Sequence, residues 1–184
     1  YEIKECDWSS DVCSSDLALY YNTAGTYNTA VGTNALYCNS TGCFNVAVGY
    51  NALQSNSIGI FNTAMGYNAL QSNTTGSYNI AFGASALLGN TVGVSNTAIG
   101  QFTLLSNTSG SDNIAIGSSA LQNNTYGCGN VAFGANSLFY NTSGYNNVAI
   151  GKCALNFNTW GDDNVALGTQ SMNYNISGAR NVAV

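Results

Sequence analysis

The chain contains no histidine, and its 184 residues carry only three basic and eight acidic side chains. Without histidine, it lacks the side chain that ordinarily gains and loses protons near neutral pH and that most often binds metals. The scarcity of Lys and Arg argues against nucleic-acid binding, because phosphate contacts need clustered basic residues. No apolar run approaches the roughly 20 residues that a membrane-spanning helix requires. These absences disfavour metal-dependent catalysis, nucleic-acid binding and membrane insertion within this chain.

Most of the charge lies in residues 1–17, YEIKECDWSSDVCSSDL, which do not follow the pattern of the rest of the chain. Residues 7–17 resemble the in-frame translation of a common sequencing-library adapter. We therefore interpret 1–17 as an artefactual extension and exclude it from fold reasoning. A genuine acidic N-terminal extension is the alternative. Residues 18–184 keep only two bases and three acids, so the low isoelectric point of the full chain is no indication of cationic partners.

From residue 18 onward the chain is a 17-residue repeat, N-[TVI]-A-φ-G-x-x-A-L-x-x-N-x-x-G-x-x, in which φ is a bulky apolar residue. A partial unit, 18–27, precedes nine full units in 28–180, and a second partial unit, 181–184, follows. We number positions within the unit from 1 at its first Asn. The nine full units contain no insertion or deletion, and Asn, Ala, Gly, Asn and Gly are invariant at positions 1, 3, 5, 12 and 15. Such strict register predicts a solenoid whose units all perform the same structural role.

The unit predicts an all-β, parallel β-solenoid with 17 residues per coil and two short strands per coil. The β-branched and apolar residues at positions 2 to 4 favour a strand, which the Gly at position 5 ends. Ala-Leu-x at positions 8 to 10 is expected to form a second strand. N-x-x-G at positions 12 to 15 is typical of a turn, in which Gly accepts left-handed dihedral angles. At about 4.8 Å per coil, nine units would span roughly 43 Å.

Stacking places identical side chains above one another, so the asparagines at positions 1 and 12 are expected to form ladders of amide hydrogen bonds. Asp is disfavoured in these columns, since stacked carboxylates repel one another. A ligand-binding role for these asparagines is the minority alternative, and no ligand-binding residue is assigned. The structural ladder at position 1 comprises Asn28, Asn45, Asn62, Asn79, Asn96, Asn113, Asn130, Asn147 and Asn164.

Alternation along the strand determines which residues face inward. The invariant Ala at position 3 and the nearly invariant Leu at position 9 form a small-and-large pair that suits a narrow interior. Position 4, in contrast, varies among Val, Met, Phe, Ile and Leu. We therefore predict that Ala and Leu fill the coil, whereas positions 2 and 4 form an outer apolar stripe that is buried between chains. The opposite assignment, with positions 2 and 4 inside, is the alternative.

No catalytic, cofactor-binding or metal-binding residue is predicted, and we expect a non-enzyme. Asp162 and Asp163 are the only adjacent acids in 18–184, and their spacing does not match the calcium-binding β-roll repeat, so we interpret them as turn residues. No C-x-x-C occurs, which argues against zinc and against a disulfide framework. Cys38 and Cys43 flank one turn, and a bond between them is the alternative. Position 14 alternates small hydroxyl-bearing residues with larger, mostly apolar ones. This indicates either duplication of 34-residue pairs or small side chains that make room for large ones in adjacent coils, and we favour duplication maintained by packing.

The motif N-[TV]-A-[VI]-G, as in residues 28–32 and 147–151, resembles the signature of YadA-type trimeric autotransporter adhesin heads. Residues 62–78, NTAMGYNALQSNTTGSY, are similar to repeats of bacterial and viral tail-fibre-like proteins. The resemblance covers 18–184 and implies a left-handed parallel β-roll, a homotrimer around one axis, and an extracellular position at a cell surface or in a virion fibre. The unit departs from the usual adhesin-head repeat by a few extra residues in the N-x-x-G turn.

The resemblance and the predicted stripe together favour a non-enzymatic adhesin-head or fibre region. We expect it to attach to a host surface, to a neighbouring cell or to an extracellular-matrix ligand. A structural spacer of a phage or viral tail fibre is the first alternative. An ice-binding solenoid is the second, because threonines at position 13, between Thr74 and Thr159, could order water along one face.

The origin of residues 1–17 is directly testable. Sequencing the source locus in native genomic DNA should replace these residues with another unit of the A-L-x-x-N type. Recovery of the same seventeen codons in that DNA would show that the extension is genuine.

Overall fold

Three-residue strands recur at every repeat and stack into one parallel sheet. The chain is described by a computed structural model over residues 11–184, and the part of the predicted extension in 1–10 lies outside this range. Strands pair in chain order, each with the one before and the one after it. The strands are β1 Val12–Ser14, β2 Thr29–Val31, β3 Val46–Val48, β4 Thr63–Met65, β5 Ile80–Phe82, β6 Thr97–Ile99, β7 Ile114–Ile116, β8 Val131–Phe133, β9 Val148–Ile150, β10 Val165–Leu167 and β11 Val182–Ala183.

Equivalent positions of successive units lie beside each other. Ala30 of β2 pairs with Ala47 of β3, which in turn pairs with Ala64 of β4, and the same register continues along the sheet. The all-β, parallel β-solenoid with coils of 17 residues is therefore confirmed, and residues 11–184 contain no helix. Each coil thus repeats the backbone environment of its neighbours, as expected for a quasi-one-dimensional architecture.

The regular coil begins earlier than residue 18, which corrects the sequence-based expectation. β1 pairs in register with β2, and Asp11 takes the place of the position-1 Asn. The Asp11 carboxylate accepts hydrogen bonds from the Asn28 backbone N–H (2.8 Å) and from Asn22 Nδ2 (2.6 Å). Val12 supplies the β-branched residue that is usual at position 2. Asp11 and Val12 thus provide the hydrogen-bond acceptor and the strand residue that a coil needs. Ser15, which replaces the usual Gly, has a φ of 100° that is unfavourable for a residue with a side chain.

Each coil of the described chain has one strand, so the expectation of a second strand at positions 8 to 10 is wrong. The Leu at position 9 lies in the left-handed region, as does the residue at position 7; Leu36 has a φ of 51° and Asn34 one of 59°. These dihedral angles turn the chain out of an extended path. Positions 5 to 12 instead form consecutive turns, in which Ala35 N–H donates to Gly32 O (3.0 Å) and Asn39 N–H donates to Leu36 O (3.1 Å).

Burial explains why leucine tolerates this conformation. A left-handed residue costs roughly 1–2 kcal/mol, whereas full burial of a leucine side chain contributes about 1.5–3 kcal/mol. The left-handed turn directs the side chain into the coil, where leucine at position 9 and alanine at position 3 are fully buried. The predicted filling of the coil by the Ala and Leu columns is therefore confirmed. The fully buried leucines are Leu36, Leu53, Leu70, Leu87, Leu104, Leu121, Leu138 and Leu155.

The position-1 asparagines form one continuous hydrogen-bonded ladder inside the coil. The Asn45 backbone N–H and Nδ2 both donate to Asn28 Oδ1, at 3.0 and 3.2 Å. Asn45 Nδ2 also donates across its own coil to Gly59 O at 2.8 Å. The same side-chain contact to the preceding rung is made by Asn62 at 3.2 Å and by Asn164 at 3.0 Å. Each interior side chain therefore connects the preceding coil to the closing turn of its own coil.

The position-12 asparagines form a second ladder that shares an acceptor with the first. Asn56 Nδ2 donates to Asn39 Oδ1 (2.8 Å) and to Gly59 O (3.0 Å), so Gly59 O accepts from both ladders. A Cβ at Gly59 would overlap Gly76 O and Asn56 Oδ1. The glycine at position 15 is thus required by close approach and not, as expected, by a left-handed φ. The left-handed residue of this turn is at position 17, where Phe61 has a φ of 55°.

Removal of one interior rung should destabilise the fold strongly. Asn96→Ala deletes the acceptor that serves both the backbone N–H and Nδ2 of Asn113, at 3.1 Å each, and leaves that buried N–H unpaired. We expect the free energy of unfolding to fall by about 3 kcal/mol, from a lost acceptor and an orphaned donor. Urea unfolding followed by circular dichroism measures this change. Gln101→Ala, an exposed change in the same unit, should cost less than about 0.5 kcal/mol, and equal losses in the two variants would contradict the ladder's energetic role.

Candidate interaction surface

The sheet presents a continuous apolar face to solvent. Position 3 is fully buried, but the residues on either side of it point outward; Ala81 is 0% exposed, whereas Ile80 is 44% and Phe82 is 53% exposed. This confirms that position 4 faces out of the coil and rejects the opposite assignment. We call positions 2 and 4 of β2 to β10 the outer stripe. It comprises Thr29, Val31, Val46, Val48, Thr63, Met65, Ile80, Phe82, Thr97, Ile99, Ile114, Ile116, Val131, Phe133, Val148, Ile150, Val165 and Leu167.

Parallel, in-register pairing makes the outer stripe continuous and evenly spaced. Phe82 pairs with Ile99, and Ile116 pairs with Phe133, so a bulky side chain at position 4 always has another one beside it in the next coil. Adjacent strands lie about 4.8 Å apart, which sets the spacing of these side chains along the solenoid. The stripe therefore offers a regular row of ridges, a shape that a second regular β-surface can match.

An aromatic column precedes the first strands of the stripe. Tyr27, Phe44, Phe61 and Tyr78 occupy position 17 of consecutive coils, with ring centroids 4.9, 4.8 and 5.4 Å apart and ring planes within 10° of parallel. Their left-handed backbone conformation turns the side chains outward, and all four are about half exposed. Because neighbouring rings cover each other's faces, mainly ring edges face solvent. From Ser95 onward, position 17 carries polar residues or glycine. The exposed apolar surface is therefore widest in the first coils, where the aromatic column adds to the outer stripe.

The position-13 threonines use their hydroxyl groups within the protein. Thr91 Oγ1 donates to Thr108 O (3.0 Å), Thr108 Oγ1 donates to Thr125 O (3.1 Å), and Thr142 Oγ1 donates to Thr159 O (3.1 Å). These hydroxyls reinforce contact with the next coil, whereas Thr125 Oγ1 donates to Asn123 O within its own coil (3.4 Å). The threonines form a single file beside the glycine turn, and their only hydroxyl protons are already engaged.

Side chains at position 16 form hydrogen bonds between coils, a role that the repeat pattern did not lead us to predict. Side chains there accept a hydrogen bond from the backbone N–H of position 16 in the preceding coil; Ser77 Oγ accepts from Ile60 N–H and Ser111 Oγ from Val94 N–H, both at 3.1 Å. The available signal was the recurrence of Cys, Ser or Asp at position 16 in five of the nine full units. The residues that accept in this way are Cys43, Ser77, Ser111, Cys128 and Asp162.

The alternation at position 14 produces a second exposed row. Ile58, Val92, Tyr126 and Trp160 occupy every second coil, and each side chain is about half exposed. The coils between them carry Thr or Ser at this position. We call these four residues the turn row. Its members lie two coils apart, so each large side chain has a small one on either side along the solenoid.

The acid pair Asp162 and Asp163 bonds turn residues of the neighbouring units. Asp162 Oδ1 accepts from Tyr145 N–H at 2.8 Å, whereas Asp163 Oδ1 accepts from Asn146 Nδ2 at 3.3 Å and Oδ2 lies 3.8 Å from Arg180 Nε. Both acids thus bond groups on adjacent coils. Within residues 11–184 no three potential metal-binding side chains converge.

The alternative disulfide between Cys38 and Cys43 is not formed. Cys43 Sγ accepts from Thr26 N–H at 3.4 Å, which directs it toward the preceding coil, whereas Cys38 is exposed. Both thiols are free, as are those of Cys128 and Cys153. Because its Sγ accepts this hydrogen bond from the preceding coil, Cys43 does not turn toward Cys38.

One open cavity of about 330 Å³ lies on the surface of the seventh and eighth full units. Its lining offers aromatic rings, amides and one thiol, without a carboxylate or a basic side chain. The cavity is lined by Asn136, Phe139, Tyr140, Cys153, Asn156 and Phe157.

No helix in the described part of the chain has the length and hydropathy needed to cross a bilayer.

Comparison with known proteins adds no assignment. Neither a family model, a curated protein nor a solved structure matches the chain. Inferences about its role therefore depend on the outer stripe, the turn row and the repeat motif.

Proposed function

We propose that this chain is a homotrimeric, surface-exposed fibre or adhesin-head region that presents a rigid β-solenoid for attachment to a cell or host surface. The observation that carries the proposal is the outer stripe, whose bulky position-4 side chains are exposed or half-buried along the whole sheet of a single chain. Contiguous apolar surfaces of this extent are typical of interaction sites in soluble proteins. The resemblance of N-x-A-φ-G to adhesin-head repeats supports the same reading.

The apolar area of the stripe is large enough to drive association. Position 4 offers ten bulky residues between Val31 and Val184. If each buries about 60 Å² at roughly 25 cal/mol per Å², the gain is on the order of 15 kcal/mol per chain before association and ordering costs. Only three of the 167 residues from 18 onward are acidic and two are basic, so charge contributes little to keeping isolated chains apart.

The geometry of the stripe favours a closed, parallel arrangement of chains. A cyclic assembly with the solenoid axes side by side lets every chain bury the same stripe along its full length. The in-register rows of side chains in the outer stripe suit this arrangement. Because the coil spacing is the same in each copy, the rows of one chain can pack against those of the next. The number three follows from the resemblance to trimeric adhesin heads.

The surfaces left outside such an assembly are available for attachment. The turn row lies two residues after the position-12 asparagines in alternate coils, and its four exposed side chains include one Tyr and one Trp. Aromatic side chains of this kind are enriched at contact surfaces. The alternative is a structural spacer of a tail fibre, which would need the same assembly but no recognition by this surface.

The ice-binding alternative has less support. The threonine hydroxyls at position 13 donate to backbone carbonyls of the next coil or, at Thr125, of their own coil, so they offer solvent only their acceptor lone pairs. A single file of threonines also lacks the second row that a flat, water-ordering lattice would use. A thermal-hysteresis measurement, in which we expect no activity, tests this alternative.

The first test concerns assembly. Light scattering of the purified full chain at micromolar concentration should give the mass of a trimer. Replacing Ile99, Ile116 and Ile150 by Asp should dissociate or precipitate it, because three charges would enter an apolar interface.

A matched control carries the same three added charges elsewhere. Ser109→Asp, Ser143→Asp and Ser177→Asp lie at position 14, away from the outer stripe, and this variant should retain the mass of the unmodified protein. A monodisperse, soluble monomer of the unmodified chain would contradict both the trimer and the main support for an adhesin-like head.

The second test separates attachment from a spacer role. The labelled full chain should bind saturably to host-cell surfaces or to immobilised extracellular-matrix proteins, and Tyr126→Ala with Trp160→Ala should weaken binding at least about tenfold, the loss of roughly 1.4 kcal/mol. Saturable binding that survives this double change would place recognition outside the turn row. Assembly without binding to any surface would favour the spacer.

A further inference from the structure

The solenoid stacks two tyrosines directly on one another. Tyr50 and Tyr67 both occupy position 6, immediately after the position-5 glycine, in consecutive coils. Their ring centroids are 5.6 Å apart and their planes are within 9° of parallel. Both rings are about half exposed. Because the two side chains occupy the same register position, corresponding atoms of the two phenols lie side by side.

Phenylalanine interrupts two of the other tyrosine columns. Tyr27 and Tyr78 are separated by two stacked phenylalanines, and Tyr140 is separated from Tyr174 by Phe157. The phenol groups in these columns therefore have no phenol neighbour in the adjacent coil. Two phenols follow one another in consecutive coils at Tyr50 and Tyr67, and also at Tyr20 and Tyr37.

A second tyrosine cluster lies at Tyr20, Tyr21 and Tyr37. Tyr37 stacks on Tyr20 with centroids 5.5 Å apart and makes an edge contact with Tyr21 at 5.1 Å. A hydrogen bond with Tyr21 raises the pKa of Tyr37, and partial burial adds to this effect. Tyr37 therefore stays protonated to higher pH than an ordinary phenol. The exposed, free thiol of Cys38 follows it in the chain and competes for oxidants.

We propose that Tyr50 and Tyr67 are a site of oxidative tyrosine–tyrosine coupling, which joins two successive coils of one chain through a covalent biaryl bond. The two rings are direct neighbours with centroids 5.6 Å apart, so rotation of the two side chains can bring one ortho carbon of each ring together. Exposure gives the oxidant access to both rings. The Tyr37 cluster is the less reactive one, because Tyr20 and Tyr37 are less exposed than Tyr50 and Tyr67 and a thiol lies beside them.

The coupling is a two-electron oxidation by a peroxide acting with a haem peroxidase. Each phenol loses one electron and one proton to give a phenoxyl radical. The two radicals form a carbon–carbon bond between ortho positions, and the two hydrogens displaced from these carbons move to the phenol oxygens. The peroxide accepts the two electrons and two protons and is reduced to two molecules of water.

Treatment of the full chain with hydrogen peroxide and horseradish peroxidase tests this proposal. We expect dityrosine fluorescence, a monomer band on a denaturing gel, and a cross-linked peptide containing residues 50 and 67 after chymotryptic digestion and mass spectrometry. Tyr67→Phe retains the ring stack but lacks one phenol, so it should lose at least about four-fifths of the fluorescence.

Tyr78→Phe is the matched control, because Tyr78 is equally exposed but stacks on a phenylalanine, and it should leave the fluorescence unchanged. Circular dichroism checks that both variants keep the fold. Equal fluorescence in Tyr67→Phe and the unmodified protein would overturn the proposal. So would a cross-link mapped to Tyr37 in place of Tyr50 and Tyr67, or coupling found only between chains.

Discussion

Every interior coil closes on one backbone carbonyl, that of the glycine at position 15, which accepts hydrogen bonds from two asparagine side chains. At Gly59 these donors are Asn45 and Asn56, one from each ladder, at 2.8 and 3.0 Å. The same asparagines reach the neighbouring coil, so coil closure and coil stacking depend on one network. Buried amides of this kind stabilise a structure only when fully paired, since an orphaned donor or acceptor costs about 1–3 kcal/mol.

This network accounts for the absence of insertions and for the outward stripe. A single added residue would move an Asn out of its ladder and would also reverse the faces of the following strand. With asparagine, alanine and leucine filling the narrow interior, no bulky side chain from position 2 or 4 can enter it. The apolar residues at these positions must therefore face outward, and their burial requires another molecule. The proposed assembly is thus a consequence of how tightly each coil closes.

Repetition made the parallel stack and the inward Ala and Leu columns predictable, because register and small-against-large pairing are visible in the sequence alone. The second strand was wrongly expected, since leucine gives no sign that burial will hold it at a φ near 50°. The requirement for Gly59 was misattributed for a related reason: its cause is the next coil's carbonyl, which is distant in sequence. The start of the coil was misplaced because Asp11 can accept the hydrogen bonds of Asn28 and Asn22 although it is not an asparagine.

Hydrogen exchange of the asparagine side chains tests the shared network most directly. With asparagine and glutamine amides isotopically labelled for NMR, the carboxamide protons of interior rungs such as Asn79, Asn90 and Asn96 should exchange about 100-fold or more slowly than those of exposed Gln101, because they exchange only when coils open. The two ladders should show similar protection, since they share acceptors. Interior carboxamides that exchange as fast as that of Gln101 would contradict the account.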